Sequence, residues 1–303
     1  MALKCGIVGL PNVGKPTLFN CLSNARAQAA NFPFCTVEPN VGVITVPDDR
    51  LNVLSELVNP EKVVPTTIEI VDIAGLVKGA SKGEGLGNQF LGNIRETDAI
   101  IHVIRCFDDD NVVHVDGSVD PVRDKDVIDM ELQLKDLETV DKRIGSQQKV
   151  SKTGDKEALK ILSIYEQLKV ALEAGKSART VAVDKKDQHY VSELMLLTGK
   201  PILYLCNVDE SSAKEGNTYV EAVREVVQDE DAEVIVIAAE IEAEIAMLDT
   251  AEDRQEFLGE MGLEEPGVNM LIRAAYKLLD LQTYFTAGVK EVRAWTITKG
   301  MNA

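Results

Sequence analysis

Residues near the N-terminus have the types and the spacing of a phosphate-binding loop. Residues 9–15 read Gly-Leu-Pro-Asn-Val-Gly-Lys and fit the first seven positions of the pattern G-x-x-x-x-G-K-[ST]. The glycines let successive backbone N–H groups converge on an anion, the following helix N-terminus adds about half a positive charge, and Lys15 can reach the β- and γ-phosphates. We expect nucleotide phosphates to be bound by Asn12, Val13, Gly14, Lys15, Pro16 and Thr17.

The eighth position of the pattern, where a serine or threonine hydroxyl is expected, is Pro16. That hydroxyl is a direct ligand of Mg²⁺ in such loops, so one position of the metal site is lost, and Thr17 follows one position too late to replace it. Proline also has no backbone N–H and pushes the preceding residue away from helical dihedral angles. Because proline is tolerated near the start of a helix, the fold can survive. The sequence predicts weaker phosphate binding and still weaker hydrolysis.

Two further segments offer groups for a magnesium ion. Residues 72–75 have the form D-x-x-G at the end of a predicted strand, where Asp72 can orient the metal through a water and the N–H of Gly75 can meet a γ-phosphate. Thr36 lies between the phosphate loop and the second predicted strand. It is either a switch residue that closes on the metal or an ordinary loop threonine. We expect Thr36 and Asp72 to be metal ligands.

Hydrolysis needs a group that orients the attacking water. Many GTPases place a glutamine directly after the glycine of D-x-x-G, whereas this chain has Leu76, whose side chain cannot do so. His114 follows the fourth predicted strand in a polar loop and is a candidate general acid–base residue; the alternative is a solvated loop histidine without a catalytic role. Gly75 and His114 are therefore the two catalytic candidates.

Base recognition is expected after the fifth predicted strand. A guanine site reads Asn-Lys-x-Asp, whereas residues 207–210 read Asn-Val-Asp-Glu. The lysine is absent, and Glu210 is one methylene longer than the aspartate that accepts from guanine. After the sixth predicted strand, Ala-Ala-Glu at 238–240 replaces the usual Ser-Ala-Lys. The sequence therefore favours ATP over GTP, with the nucleotide contacted by Asn207, Val208, Glu210, Ala238 and Ala239.

Short apolar, β-branched runs alternate with helical patterns, which predicts an α/β fold with a mainly parallel sheet and helices on both faces. The predicted strands are 3–9, 41–46, 67–72, 99–105, 202–206 and 234–238, and a helix is expected from about 15 to 23. A Rossmann-type oxidoreductase is excluded, because the first turn does not read G-x-G-x-x-G.

The interval between the fourth and fifth predicted strands is too long for a loop. Helical periodicity over 130–150 and 155–174 predicts an antiparallel hairpin inserted into the α/β domain, either a simple packed pair or a partner-binding element. After a helix at 271–279, we expect a loop at 280–288 and, at 291–298, the first strand of a further domain. The expected domains are 1–129 with 199–279, the insertion 130–198, and the fragment 280–303.

The composition excludes several classes of protein. The five cysteines are scattered without a C-x-x-C pair, which argues against a disulfide framework or a zinc knuckle and favours free thiols in a reducing compartment. The sequence contains neither a signal-peptide pattern nor a stretch of the about 20 apolar residues that a membrane span needs. We therefore expect a cytoplasmic protein. The net charge of −18 is uneven, because residues 131–186 carry 12 Lys and Arg against 9 Asp and Glu.

Three segments together resemble the Obg-like ATPase family, the YchF subfamily of Obg-related P-loop GTPases. They are the phosphate loop at 9–15, Asn-Phe-Pro-Phe-Cys-Thr-Val-Glu-Pro-Asn at 31–40, and Asp-Ile-Ala-Gly-Leu-Val-Lys-Gly-Ala-Ser-Lys-Gly-Glu-Gly-Leu-Gly-Asn at 72–88. The resemblance extends over essentially the whole chain. It implies a G domain of the OBG type, a helical insertion and the beginning of a C-terminal TGS domain.

The resemblance also implies ATP hydrolysis aided by Mg²⁺ and K⁺, and binding to the ribosome or its large subunit. Asn12 matches the asparagine associated with potassium dependence in related GTPases, residues 208–210 match the family's departure from the guanine motif, and Pro16 replaces the family's serine. The basic insertion fits a ribosome-facing surface or an ordinary solvated face. Neither a membrane nor DNA is an expected partner. The alternatives are an Obg-type GTPase and a non-catalytic ribosome-binding module.

Overall fold

The computed structural model describes residues 3–29, 41–73, 87–152, 154–230 and 232–301 as an α/β fold. The strands are β1 (Lys4–Val8), β2 (Val41–Thr45), β3 (Val63–Val64), β4 (Thr67–Asp72), β5 (Ala99–Arg105), β6 (Ile202–Asn207), β7 (Glu233–Ile237), β8 (Leu281–Ala287) and β9 (Val292–Thr298). The helices are α1 (Lys15–Ala29), α2 (Asp49–Val58), α3 (Gly87–Arg95), α4 (Pro121–Ser151), α5 (Lys156–Glu173), α6 (Gln188–Ser192), α7 (Thr218–Val227), α8 (Ala239–Met247), α9 (Ala251–Glu260) and α10 (Gly267–Leu278).

A six-stranded sheet with the order β2-β4-β1-β5-β6-β7 forms the centre. Its pairs are parallel except for the edge pair β2–β4, which is antiparallel. The six predicted strands are confirmed to within one residue at each end. Every residue of β5 and β6 is buried, as expected for parallel strands covered on both faces. The carboxyl ends of β1, β4, β5, β6 and β7 therefore meet at one edge of the sheet.

The predicted antiparallel hairpin is formed by α4 and α5, which contact each other along much of their lengths. Helix α4 begins nine residues before the expected start at 130, because Asp120 caps it by accepting from the N–H of Arg123 and Pro121 occupies its first turn. Its early residues Ile128 and Leu132 pack in the core of the sheet, whereas its later residues pack against α5 in a separate core. One helix thus joins the two cores.

Asp136 fastens α4 to the segment that leads into β6. Its fully buried carboxylate accepts from the N–H groups of Leu197 and Thr198 at 2.8 and 2.7 Å and from the hydroxyl of Thr198 at 2.7 Å. Burial raises the pKa of Asp136, and the bonds from Thr198 and Leu197 oppose that rise. Two backbone donors would lose their partner if this side chain were removed.

The C-terminal part differs from the expectation. The expected loop at 280–288 was wrong, because residues 281–287 form β8 and pair with β9 in an antiparallel hairpin. Tyr284 and Trp295 stack across it with ring centroids 6.2 Å apart. Strand β3 joins β9 in parallel, and Val292 and Ala294 pack with Leu51 of α2. The hairpin is thereby attached to the α/β domain.

Among the helices of the described residues, none combines the length and the apolar character that crossing a membrane requires.

We expect Asp136→Ala to lower the free energy of unfolding by about 2–5 kcal/mol, because two buried backbone N–H groups lose their acceptor. Urea unfolding followed by circular dichroism measures this. Asp141→Ala on the same helix is the matched control, since Asp141 is exposed and pairs with Lys169 on the surface at 2.7 Å. Its midpoint should stay close to that of the parent chain. Equal midpoints for the two variants would show that the buried bonds of Asp136 contribute little.

Candidate nucleotide-binding site

The phosphate loop connects the end of β1 to the start of α1 and is closely surrounded. A Cβ atom on Gly9 would lie 2.5 Å from the carbonyl oxygen of Val103, and one on Gly14 would overlap the side-chain nitrogen of Asn207. Gly14 has φ of 95°, and Asn12 adopts the left-handed conformation with φ of 62°. The packing around the loop therefore requires glycine at positions 9 and 14.

Lys15 is folded back over the loop. Its ammonium donates to the carbonyl oxygens of Gly9 and Leu10 at 2.9 and 2.6 Å, and the residue is only 6% exposed. Burial lowers the pKa of Lys15 to about 8, and the charge of Asp72 opposes that change. A cation held by two loop carbonyls in a buried position can bind an anion that enters the loop.

The residues that the sequence suggests as metal ligands differ in how well they suit a divalent cation. Oδ1 of Asp72 is buried and accepts no hydrogen bond within the described part of the chain, and burial raises the pKa of this carboxyl, with Lys15 opposing. An unpaired acceptor of this kind fits a divalent cation, bound directly or through water. Pro16 is exposed in the first turn of α1 and its side chain has no oxygen to offer. Thr36, Gly75 and Leu76 lie outside the described residues.

Asn207 ties three parts of the site together. Its amide nitrogen donates to the carbonyl oxygen of Val13 at 3.0 Å, and its amide oxygen accepts from the N–H of Ala239 at 3.0 Å. These two contacts join the end of β6 to the phosphate loop and to the start of α8. The buried amide is thus engaged with backbone on both sides, which assigns it the task of holding the loop.

The other residues expected near the base lie on the same edge of the sheet. Val208, Ala238 and Ala239 are buried, whereas Glu210 is exposed at the start of a short 3-10 helix. Asp209 caps that helix by accepting from the N–H of Ser212, and the hydroxyl of Ser211 is the main cause that lowers its pKa. The carboxylate of Asp209 is therefore hydrogen-bonded within its own turn.

His114 is a buried residue, so the alternative of a solvated loop histidine is wrong. Its Nε2 is 2.7 Å from Oδ2 of Asp124, and its Nδ1 accepts from the N–H of Asp116 at 3.1 Å. The side-chain nitrogen of Asn12 donates to the carbonyl oxygen of the adjacent Val113 at 3.0 Å. The histidine loop is therefore attached directly to the phosphate loop.

Sequence reasoning did not identify Arg105, which shapes the loop that leads to His114. Arg105 is 2% exposed, and its guanidinium donates to the carbonyl oxygens of Phe107, Asp109 and Val112 at 3.1, 3.2 and 2.8 Å. Three acceptors on one guanidinium fix the course of residues 107–112. The signal for it was present: β5 ends in an arginine, and apart from His102 the residues before it are apolar.

Comparisons with known proteins agree with this architecture. A family model described as a 50S ribosome-binding GTPase matches residues 4–149. The ribosome-binding ATPase YchF of Haemophilus ducreyi is 56% identical over 303 residues, and that of Bacillus subtilis is 56% identical over 305 residues; each alignment covers 100% of this chain and 83% of the relative.

A solved structure leads to the same family. The YchF GTPase of Schizosaccharomyces pombe superposes with a TM-score of 0.89 at 35% sequence identity, covering 99% of this chain and 82% of that protein. The similarity therefore includes both the sheet with its phosphate loop and the helical insertion. Since two relatives are more than half identical over its full length, this chain belongs to the YchF family of P-loop nucleotide-binding proteins.

Proposed function

We propose that this chain is an ATP-binding and ATP-hydrolysing switch protein that works at the ribosome in the cytoplasm, with turnover impaired by Pro16. The observation that carries the proposal is the phosphate loop itself. It lies between β1 and α1, Lys15 is folded over its carbonyls, and Asn207 holds it from β6. Loops with this arrangement bind nucleotide phosphates through converging N–H groups and one lysine.

Asp72, which we propose as a metal ligand, ends β4 at the same edge of the sheet. We assign Mg²⁺ to Asp72 and Thr36, and the ion would neutralise charge on the β- and γ-phosphates. The unpaired oxygen of Asp72 supports this assignment. Pro16 withholds both a hydroxyl ligand and a backbone N–H from the phosphates. We assign the associated K⁺ to Asn12, on the family resemblance of this position.

The base of the reaction is assigned to His114, and Gly75 to contact with the γ-phosphate. Leu76 has no polar group to orient water, and the Asn12–Val113 bond holds the histidine loop against the phosphate loop. ATP is assigned as the nucleotide because Glu210 stands where guanine sites have an aspartate and Asp209 is engaged with Ser212.

Two features support the ribosome as the partner. The matched family model is described as ribosome-binding, and the two bacterial relatives are named ribosome-binding ATPases. Residues 131–186, which make up most of the helical insertion, are a mildly basic part of an acidic chain, and positive charge favours contact with RNA phosphates. The substitution at Pro16 favours one alternative, a ribosome-binding module without turnover. The other alternative, GTP as substrate, is favoured because the matched family and the protein of the yeast structure are both described as GTPases.

Two substitutions of Pro16 separate the loss of the backbone N–H from the loss of the hydroxyl. Pro16→Ala restores the backbone N–H alone and should tighten ATP binding by about tenfold, because one bond to a charged phosphate is regained. Pro16→Ser restores the hydroxyl as well and should add a dependence on magnesium and measurable hydrolysis. Calorimetric titration of ATP with Mg²⁺ or with EDTA into the parent chain and both variants measures the effect. Equal affinity and equal magnesium dependence in all three would refute the assigned role of position 16.

Base preference is tested at Glu210 in the Pro16→Ser background. We expect ATP to bind more tightly than GTP, and Glu210→Asp to raise the affinity for GTP by about tenfold, since the shorter carboxylate can accept from two guanine donors. Glu215→Asp is the matched control, an exposed glutamate in the next turn of the chain. If GTP already binds more tightly than ATP before the substitution, the chain is a GTPase of the Obg type.

A further inference from the structure

A buried histidine–aspartate pair lies next to the phosphate loop. The side chains of His114 and Asp124 are 5% and 4% exposed, and Nε2 of His114 is 2.7 Å from Oδ2 of Asp124. The residue before His114 is Val113, whose carbonyl oxygen accepts from the side chain of Asn12. His114 is therefore the neighbour in sequence of a residue that bonds directly to the phosphate loop.

The contacts of the ring define its tautomer. Nδ1 of His114 accepts from the N–H of Asp116 at 3.1 Å, and a nitrogen that accepts a hydrogen bond does not carry a proton. In the neutral imidazole the proton is therefore on Nε2, which donates it to Asp124. Both the carboxylate and the backbone amide thus select the same form of the ring.

The two contacts differ in strength. The bond to Asp124 is buried and charge-assisted, and Oδ1 of the same carboxylate accepts from Nε and Nη2 of Arg123 at 3.3 and 3.1 Å. The carboxylate is therefore held in place by α4. The donor to Nδ1 is a neutral amide of Asp116, an exposed loop residue. The amide contact is therefore the weaker of the two, and breaking it would free Nδ1 as an acceptor while the bond to Asp124 still holds the ring.

We propose that Asp124 is the positioning residue of His114: it keeps the proton on Nε2, so that Nδ1 is the nitrogen that accepts a proton from the attacking water. This rests on the proposed role of His114 as the base. The water oxygen forms a bond to the γ-phosphorus, the bond from phosphorus to the bridging oxygen breaks, and its electron pair leaves with ADP. The proton taken up on Nδ1 passes to the released phosphate. The charge of Asp124 stabilises the imidazolium in between.

Turnover is measured in the Pro16→Ser background. Asp124→Asn keeps the shape of the side chain and removes its charge. We expect kcat to fall by about tenfold to hundredfold with the KM for ATP within about twofold of the background, because positioning acts on the transition state. Asp126→Asn is the matched control: it makes the same change of charge on an exposed residue of the same helix and should leave kcat unchanged. An equal kcat in the two variants would overturn the proposal.

His114→Ala separates this proposal from the proposed function. Full turnover by that variant would remove His114 from the reaction, and the positioning role of Asp124 with it. Loss of turnover in His114→Ala without a loss in Asp124→Asn would overturn the role of Asp124 alone. No hydrolysis in the Pro16→Ser background itself would count against the proposed function. The contact between Asp124 and His114 is then tested by the tautomer of the His114 ring.

That tautomer is read in the parent chain without any substitution. The chain has three histidines, so long-range ¹H–¹⁵N correlation spectra can resolve each ring. We expect His114 to be protonated on Nε2, and Asp124→Asn to shift both of its ring nitrogens while Asp126→Asn leaves them unchanged. A ring protonated on Nδ1, or spectra that do not differ between the two variants, would contradict the assigned contact.

Discussion

The approach of Asn207 to the phosphate loop is the contact on which the site depends. Its amide bonds to Val13 on one side and to Ala239 on the other, and the space it fills is available only because residue 14 is glycine. Three segments that are distant in sequence are thereby held at the carboxyl edge of one sheet. Because the amide is buried and both of its polar atoms are paired, a shift of any one segment would leave a buried group without its partner.

Helix α4 extends this constraint from the site into the insertion. Its first turns carry Asp124, which bonds to His114, and Lys125, whose ammonium is 3.1 Å from Oε1 of Glu230 after α7. One turn beyond Leu132, Asp136 fastens the helix to the segment before β6, and from Val140 onward the helix belongs to the core of the hairpin. A single helix of 31 residues therefore links the histidine beside the phosphate loop to the tip of the insertion.

The strands and the phosphate loop could be predicted because their signals are local. Short apolar runs and the spacing of glycines need no knowledge of distant residues. The start of α4 could not be predicted from apolar periodicity, because Asp124 and Lys125 occupy inward positions where an apolar residue is expected, and their burial depends on distant partners. Strand β8 was missed for a different reason, because its local signal was overlooked: residues 283–286 read Thr-Tyr-Phe-Thr, which favours a strand, and its partner β9 follows after a short turn.

The candidate site also contains features that the sequence predicted and features that it did not. The sequence identified Asn207 and His114, yet not what their polar atoms bond to, because Val13 is 194 residues from Asn207 and the histidine depends on α4. Arg105 was overlooked as the end of an apolar strand, although its three carbonyl partners shape the loop before His114. Residue types at a motif are thus readable from sequence, whereas the bonds that hold them in place come from long-range contacts.

Pro16 illustrates why a fold and its chemistry can separate. The first N–H groups of a helix have no carbonyl partner within the helix, so α1 can lack one of them without losing a helical hydrogen bond. The side chain of Pro16 is exposed, and Leu18 still donates to the carbonyl oxygen of Gly14 at 3.0 Å. Those same unpaired N–H groups are what a phosphate binds. The N–H that the helix can spare is therefore one that a bound phosphate would use. The fold tolerates proline at this position, and the effect we expect from it is on nucleotide binding.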